Sequence, residues 1–249
     1  MVTPSPSTCW TMIRAASGGD AAARERFAAL YEPAVRAYLM ARWRGGAVRR
    51  QAVDDAVQDV FIELLREGGA LGRVAGKSPG DLDRERDATS GSGGGFRAFL
   101  YGVARNIARR HEQNWARSRS SQPATAFLDA QPDDEARLSR LFDQAWARAL
   151  LHEAGQLQRR RAESGETADP EALRRHDLLQ LRFGEGLPIR DIAARWGEDA
   201  EHIHREYAKA RREFLDALLE VMRFHHPEAS AERLTAMARD LIGLLGAGA

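Results

Sequence analysis

LLQLRFGEGLPIRDIAARWGEDAEHIHREYAKARREF, residues 178–214, decides how the rest of the chain is read. Ile189, Ile192, Ala193 and Trp196 recur at the spacing of a short amphipathic helix, and Ile203, Tyr207, Ala210 and Phe214 open a longer one that Leu218 and Val221 continue. Between them stands Gly197, where a left-handed turn is needed, and Ala193 puts a small residue at the helix crossing. Short helix, glycine turn, long helix predicts a helix-turn-helix. The exposed face of the long helix offers His202, His204, Arg205, Lys209, Arg211 and Arg212. Such a helix lies in a major groove, where arginine takes guanine bidentately while Lys209 and Arg211 hold phosphates. Glu201 and Glu206 share that helix, and a solvated, salt-bridged surface accounts for the same charges.

Helical periodicity extends outward in both directions, and no stretch alternates like a half-buried strand, so the chain is predicted to be all-α. Before the helix-turn-helix come helices at about 171–183 and about 137–158, the latter with Leu138, Leu141, Phe142, Ala145 and Ala149; after it, Leu234, Met237, Leu241 and Leu245 mark a last helix at about 230–245. In the N-terminal half Asp20 can cap a helix carrying Phe27, Leu30, Tyr31, Val35, Tyr38 and Leu39, which Pro33 should kink or restart. Val53, Val57, Val60, Phe61, Leu64 and Leu65 mark a helix at about 52–66, and Phe96, Phe99, Leu100, Val103 and Ile107 mark one reaching about Arg117. The expected organisation is a disordered leader (1–19), a helical domain (20–120) with a glycine-rich insertion (68–95), a flexible acidic linker (121–136), a helix-turn-helix domain (137–225) and a helical extension (226–249).

With 249 residues, 43% hydrophobic and 29% charged, the chain is long enough for one or two cores. Basic residues number 37 against 36 acidic, so whole-chain charge points to no polyanionic partner and any such argument must be local. All basic residues but Lys77 and Lys209 are arginine, as a GC-rich genome would give. Cys9 is the single cysteine, which excludes an internal disulfide framework and a cysteine-built zinc site. His202 and His204 diverge at i, i+2 on a helix, and His225-His226 lack a carboxylate at ligand spacing. No metal and no cofactor is therefore expected. SGSGGG (90–95) lacks the preceding strand of a phosphate loop, and no catalytic triad or carboxylate pair can be specified, so an enzyme is not expected. The start, MVTPSPSTCWTMIR, has no long apolar run behind basic residues, and nowhere do eighteen apolar residues run together. Neither signal peptide nor membrane span is expected, and the cytoplasm is the expected location.

Local charge is far from balanced. Between 96 and 120 six arginines face one acid, Glu112, whereas 121–136 holds Asp129, Asp133, Asp134 and Glu135 and no base. The helix at 52–66 is acidic too, with Asp54, Asp55, Asp59 and Glu63. One domain thus combines an acidic face suited to docking a protein with a basic, aromatic face suited to nucleic acid.

DDAVQDVFIELL (54–65), followed by FRAFLYGVARNIARRHEQ (96–113), resembles the promoter-melting domain (region 2) of the sigma-70 family of bacterial transcription initiation factors. LLQLRFGEGLPIRDIAARWG (178–197) and EHIHREYAKARREF (201–214) resemble the family's C-terminal helix-turn-helix domain (region 4), and the order is that of the extracytoplasmic-function group. The resemblance implies that Asp54, Asp55, Gln58, Asp59 and Phe61 dock on the coiled-coil clamp of the RNA polymerase largest subunit. It implies that Arg97, Tyr101, Arg105, Asn106, Arg109 and Arg110 hold the single-stranded −10 element, and that His204, Arg205, Lys209 and Arg211 read the duplex −35 element. Three features depart from the family pattern: the 68–95 insertion replaces a short base-capturing loop, Glu198 stands where an apolar turn residue is usual, and Glu201 and Glu206 make the recognition helix acidic. The helix at 137–158 and the tail beyond 225 offer a seat for an anti-sigma factor or other regulator. Two other readings of the same residues are a plain helix-turn-helix regulator and a sigma-like adaptor brought to DNA by another factor.

Overall fold

A computed structural model describes residues 9–43, 50–76, 96–118, 132–164 and 169–246. Among them every regular element is helical, so the chain is all-α. In order these are α1 (Cys9–Ser17), α2 (Ala21–Arg42), α3 (Arg50–Leu65), α4 (Ala70–Ala75), α5 (Phe96–Ser118), α6 (Pro132–Glu163), α7 (Pro170–Leu179) with a π-helical turn at Gln180–Gly184, α8 (Ile189–Trp196), α9 (Ala200–His225) and α10 (Ala231–Gly246). No helix among the described residues is long and apolar enough to cross a membrane.

By their internal contacts the residues fall into two compact units, one of 1–149 with 225–228 and 241–249, the other of 150–224 with 229–240. In the first, α2 starts as its sequence predicts: Asp20 Oδ1 accepts the Ala23 amide at 2.6 Å, which satisfies one of the helix's orphan donors. The helix runs through Pro33 to Arg42 as one element, neither ending nor restarting there. It packs on α3 and α5 through an aromatic cluster in which the Phe27 ring lies 4.7 Å from Tyr31 and 5.8 Å from Phe96. From α5 the residues buried are Phe96, Leu100, Ala104, Ile107 and Ala108, with Phe99 and Val103 only half-covered.

Three expectations are corrected. Residues 9–17 are not a disordered leader, because Cys9, Trp10, Met12, Ile13 and Ala16 form the buried stripe of α1, which packs on α2 and α4. The stretch after 68 is partly helical: α4 buries Leu71 and Val74, and at Gly69 an added Cβ would lie 2.7 Å from the carbonyl oxygens of Glu63, in the last turn of α3, and of Arg66 just beyond it. Residues 132–136 are the start of α6, not linker, and residues 137–149 pack in the first unit. There Leu138, Phe142 and Ala145 are buried, and Trp146 stacks on Tyr31 at 5.0 Å. Residues 1–8, the rest of the insertion (77–95) and 121–131 of the expected linker lie outside the described residues.

His225, in the last turn of α9, closes this core with its ring 6.2 Å from Tyr31 and 6.1 Å from Trp146, and its carbonyl accepts the Cys9 Sγ–H at 3.4 Å. Burial, and then the neighbouring His226, pushes its pKa down from 6.5 to about 3. An unfolded histidine binds a proton below pH 6.5 and the folded one does not, so protonation favours the unfolded chain as pH falls through that window. We expect this residue alone to remove on the order of 1 kcal/mol of stability between neutral pH and pH ~5.5, read as a fall in urea midpoint, and His225→Phe to abolish that share.

In the second unit Asp169 caps α7 by accepting the Glu171 and Ala172 amides, and Pro170 occupies the first helical position, where its missing N–H is harmless. Gly197 closes α8 at φ 68°, ψ 31°, the left-handed turn its sequence predicts. Asp199 then accepts the His202 amide at 3.0 Å and starts α9. Leu178, Leu181, Ile192, Ala193 and Ile203 form the buried cluster, with Leu187, Ile189, Trp196 and Tyr207 packed against it.

Candidate nucleic-acid and docking surfaces

The buried stripe of α3 is Val53, Ala56, Val57, Val60 and Leu64, which turns Asp54, Asp55 and Gln58 outward. Arg36 of α2 holds Asp54 at 2.5 Å and Glu32 at 2.9 Å, so Asp54 is partly neutralised. Asp59 lies 2.8 Å from His111 Nε2, which ties the acidic face of α3 to α5. Phe61 is half-buried with its ring 6.2 Å from Phe27, and it serves the core more than any surface. The outward apolar residue is its neighbour Ile62, 52% exposed, which sequence reasoning missed. The signal was present: positions 55, 58, 59 and 62 form one helical stripe.

The six α5 residues divide into two groups. Asn106, Arg109 and Arg110 are exposed, and no carboxylate among the described residues pairs with them. Arg97, Tyr101 and Arg105 instead meet α6: Arg97 pairs with Asp143, the Tyr101 hydroxyl donates to Glu135 at 3.0 Å, and Arg105 lies 3.1 Å from the same carboxylate. Glu135 also accepts from Arg42 at 3.0 Å, and Arg42 forks onto Glu112 at 2.7 and 3.0 Å. Trp43 Nε1 donates to Glu112 at 2.9 Å. Burial works against the Arg42 charge, but Glu112 and Glu135 more than offset it and hold the guanidinium pKa above its ordinary value. Burial would likewise raise the Glu135 carboxyl, yet the hydrogen bonds from Arg42 and Tyr101 and the Arg105 charge bring it below the usual carboxylate range. Sequence reasoning missed Arg42, Glu112 and Glu135 as one network; its trace is the lone acid in a basic helix, followed by an acidic segment.

On α9 two of the carboxylates, Glu206 and Glu213, are turned toward α7, while Glu201 stays exposed. Glu206 and Glu213 meet Arg175 of α7 at 3.5 and 2.7 Å, and a hydrogen bond from Lys209 at 2.7 Å, aided by Arg175, holds the Glu206 carboxyl below its usual range. Glu198, next to the turn residue Gly197, pairs with Arg174, whose guanidinium lies 4.5 Å above the Trp196 ring. It also lies 3.5 Å from His202. Arg205 is bound to Glu201 at 3.0 Å, whereas His204 and Arg212 are exposed and Arg211 lies 5.7 Å from the Tyr207 ring centre. Phe183, 69% exposed in the π-helical turn, stands 6.3 Å from Tyr207. Its position off the Leu178–Leu181 stripe is the cue by which the sequence could have shown it. No protein-family description, no curated protein and no solved structure matches this chain.

Proposed function

We propose that the chain is a sigma factor of the extracytoplasmic-function group, which brings core RNA polymerase to a promoter in the cytoplasm and opens it. The α3 face docks on the largest-subunit clamp, α5 holds the separated −10 strand and α9 reads the duplex −35 element. The chain itself needs no catalytic residue, cofactor or metal, because the chemistry belongs to the polymerase. One observation carries this reading: an exposed acidic helix face is joined directly to a cationic helix, Asp59 to His111 at 2.8 Å. A plain helix-turn-helix regulator has no use for that pairing. The reading is tested by co-elution of the full chain with core polymerase and run-off transcription on a promoter pool; failure of both overturns it.

A second reading, the adaptor targeted by another factor, is favoured by a different observation: Arg205 and Lys209 are engaged by Glu201 and Glu206 of their own helix. Surface pairs of this kind are worth only tenths of a kcal/mol, so DNA can break them. We therefore expect Arg205→Ala to cost about 1–3 kcal/mol and relax preference at one base pair, and Lys209→Ala to weaken all sequences alike. Silent substitutions in promoter-variant transcription would favour the adaptor.

A further inference from the structure

We propose that residues 135–149 of α6 are an internal guard that occupies the strand-holding face of α5 with carboxylates in place of phosphates, and that they must be displaced before nucleic acid binds there. The inference rests on the reading of α5 given under the proposed function and adds its regulation. Arg97, Tyr101 and Arg105 lie at i, i+4 and i+8, one stripe along α5. Each is engaged from the same segment: Arg97 by Asp143, Tyr101 and Arg105 by Glu135. The donors are those a phosphodiester requires, two guanidinium groups and a phenol, and the two carboxylates lie about 12 Å apart along their helix axis. Phe142 adds an aromatic blockade, its ring 5.4 Å from Tyr101 and 6.4 Å from Tyr38, so a base could not stack on Tyr101 while α6 is seated. Asn106, next to Arg105, and Arg109 and Arg110, one turn further on, stay exposed, which leaves a foothold from which a strand can compete α6 away.

The test uses the full chain, a short fluorescein-labelled single-stranded oligonucleotide of mixed sequence and fluorescence anisotropy. Glu135→Gln with Asp143→Asn keeps the shape of α6 and removes its competing charge. It should bind about 10-fold more tightly than the wild type, since losing charged hydrogen bonds lowers the cost of displacement, with each single variant between. Hydrogen exchange on the wild type should show amides of 136–149 losing protection when oligonucleotide is added. Equal affinity for wild type and variants, or unchanged protection of α6 at saturating oligonucleotide, overturns the guard. If the double variant loses its helical circular dichroism, Asp143→Asn alone and the wild-type exchange experiment decide. Co-elution with core polymerase, read in parallel, separates the two claims. A chain that co-elutes and transcribes while its variants gain nothing loses only the guard, and one that neither co-elutes nor binds any oligonucleotide loses both.

Discussion

Asp55→Arg combined with Asp59→Arg should abolish co-elution with core RNA polymerase while the protein stays folded. Both residues sit on the outward side of α3, whose core positions Val53, Ala56, Val57, Val60 and Leu64 the substitutions leave untouched. The expected loss follows from electrostatics at an interface. Removing one member of a close charge pair costs about 2–5 kcal/mol in association, and reversal adds repulsion from whatever cation the carboxylate faced. A weakening of roughly a hundredfold or more is therefore expected. Asp59 has a second task, holding His111, so Asp59→Asn serves as the control: it removes the charge and retains a hydrogen-bonding side chain. Ile62→Ala should weaken the same association without altering its salt dependence, because it removes apolar area from the stripe and no charge. A folded double variant that still co-elutes with core enzyme would end the docking assignment.

What the sequence made legible here was what local rules govern. The spacing of Val53, Val57, Val60 and Leu64 names the buried side of α3, and Asp20 and Gly197 cap and turn as their chemistry requires. Where reading failed, a local signal was overridden or the cause was distant. Pro132 followed by Asp133, Asp134 and Glu135 is an N-terminal helix signature, proline first and acids in the opening turn, but the segment's polarity favoured a linker. In α1 the cause was distant: Trp10 and Ile13 become a buried stripe only because α2 and α4 supply the surface they cover. Phe61 and Ile62 show the limit of one residue of register, since the resemblance assigned the aromatic to the surface and packing against Phe27 put its neighbour there. The grouping of Arg42 with Glu112 and Glu135 joins three distant segments, so no short-range spacing rule could assemble it.

The division of α5 sharpens the remaining expectation. Substituting Arg109→Ala together with Arg110→Ala should cripple open-complex formation and leave duplex binding by α9 nearly intact, because these cations are exposed and engage no described carboxylate. Each cation withdrawn from the phosphates of a single strand lowers the log–log salt slope by about 0.7, so the pair should reduce it by about 1.4. Asn106→Ala should lower promoter opening without changing that slope, since it removes a neutral hydrogen-bonding group. Tyr101 separates two mechanisms. Its hydroxyl is engaged by Glu135, so Tyr101→Phe removes one link to α6 and keeps the stacking ring, whereas Tyr101→Ala removes both. If the ring stacks on an extruded base, the alanine variant loses about 1–3 kcal/mol of open-complex stability and the phenylalanine variant loses none of it. Permanganate reactivity at the start site reports the melted bases directly. Normal reactivity in the double arginine variant would remove α5 from strand capture, and equal loss in the two tyrosine variants would assign Tyr101 to its hydroxyl, not its ring.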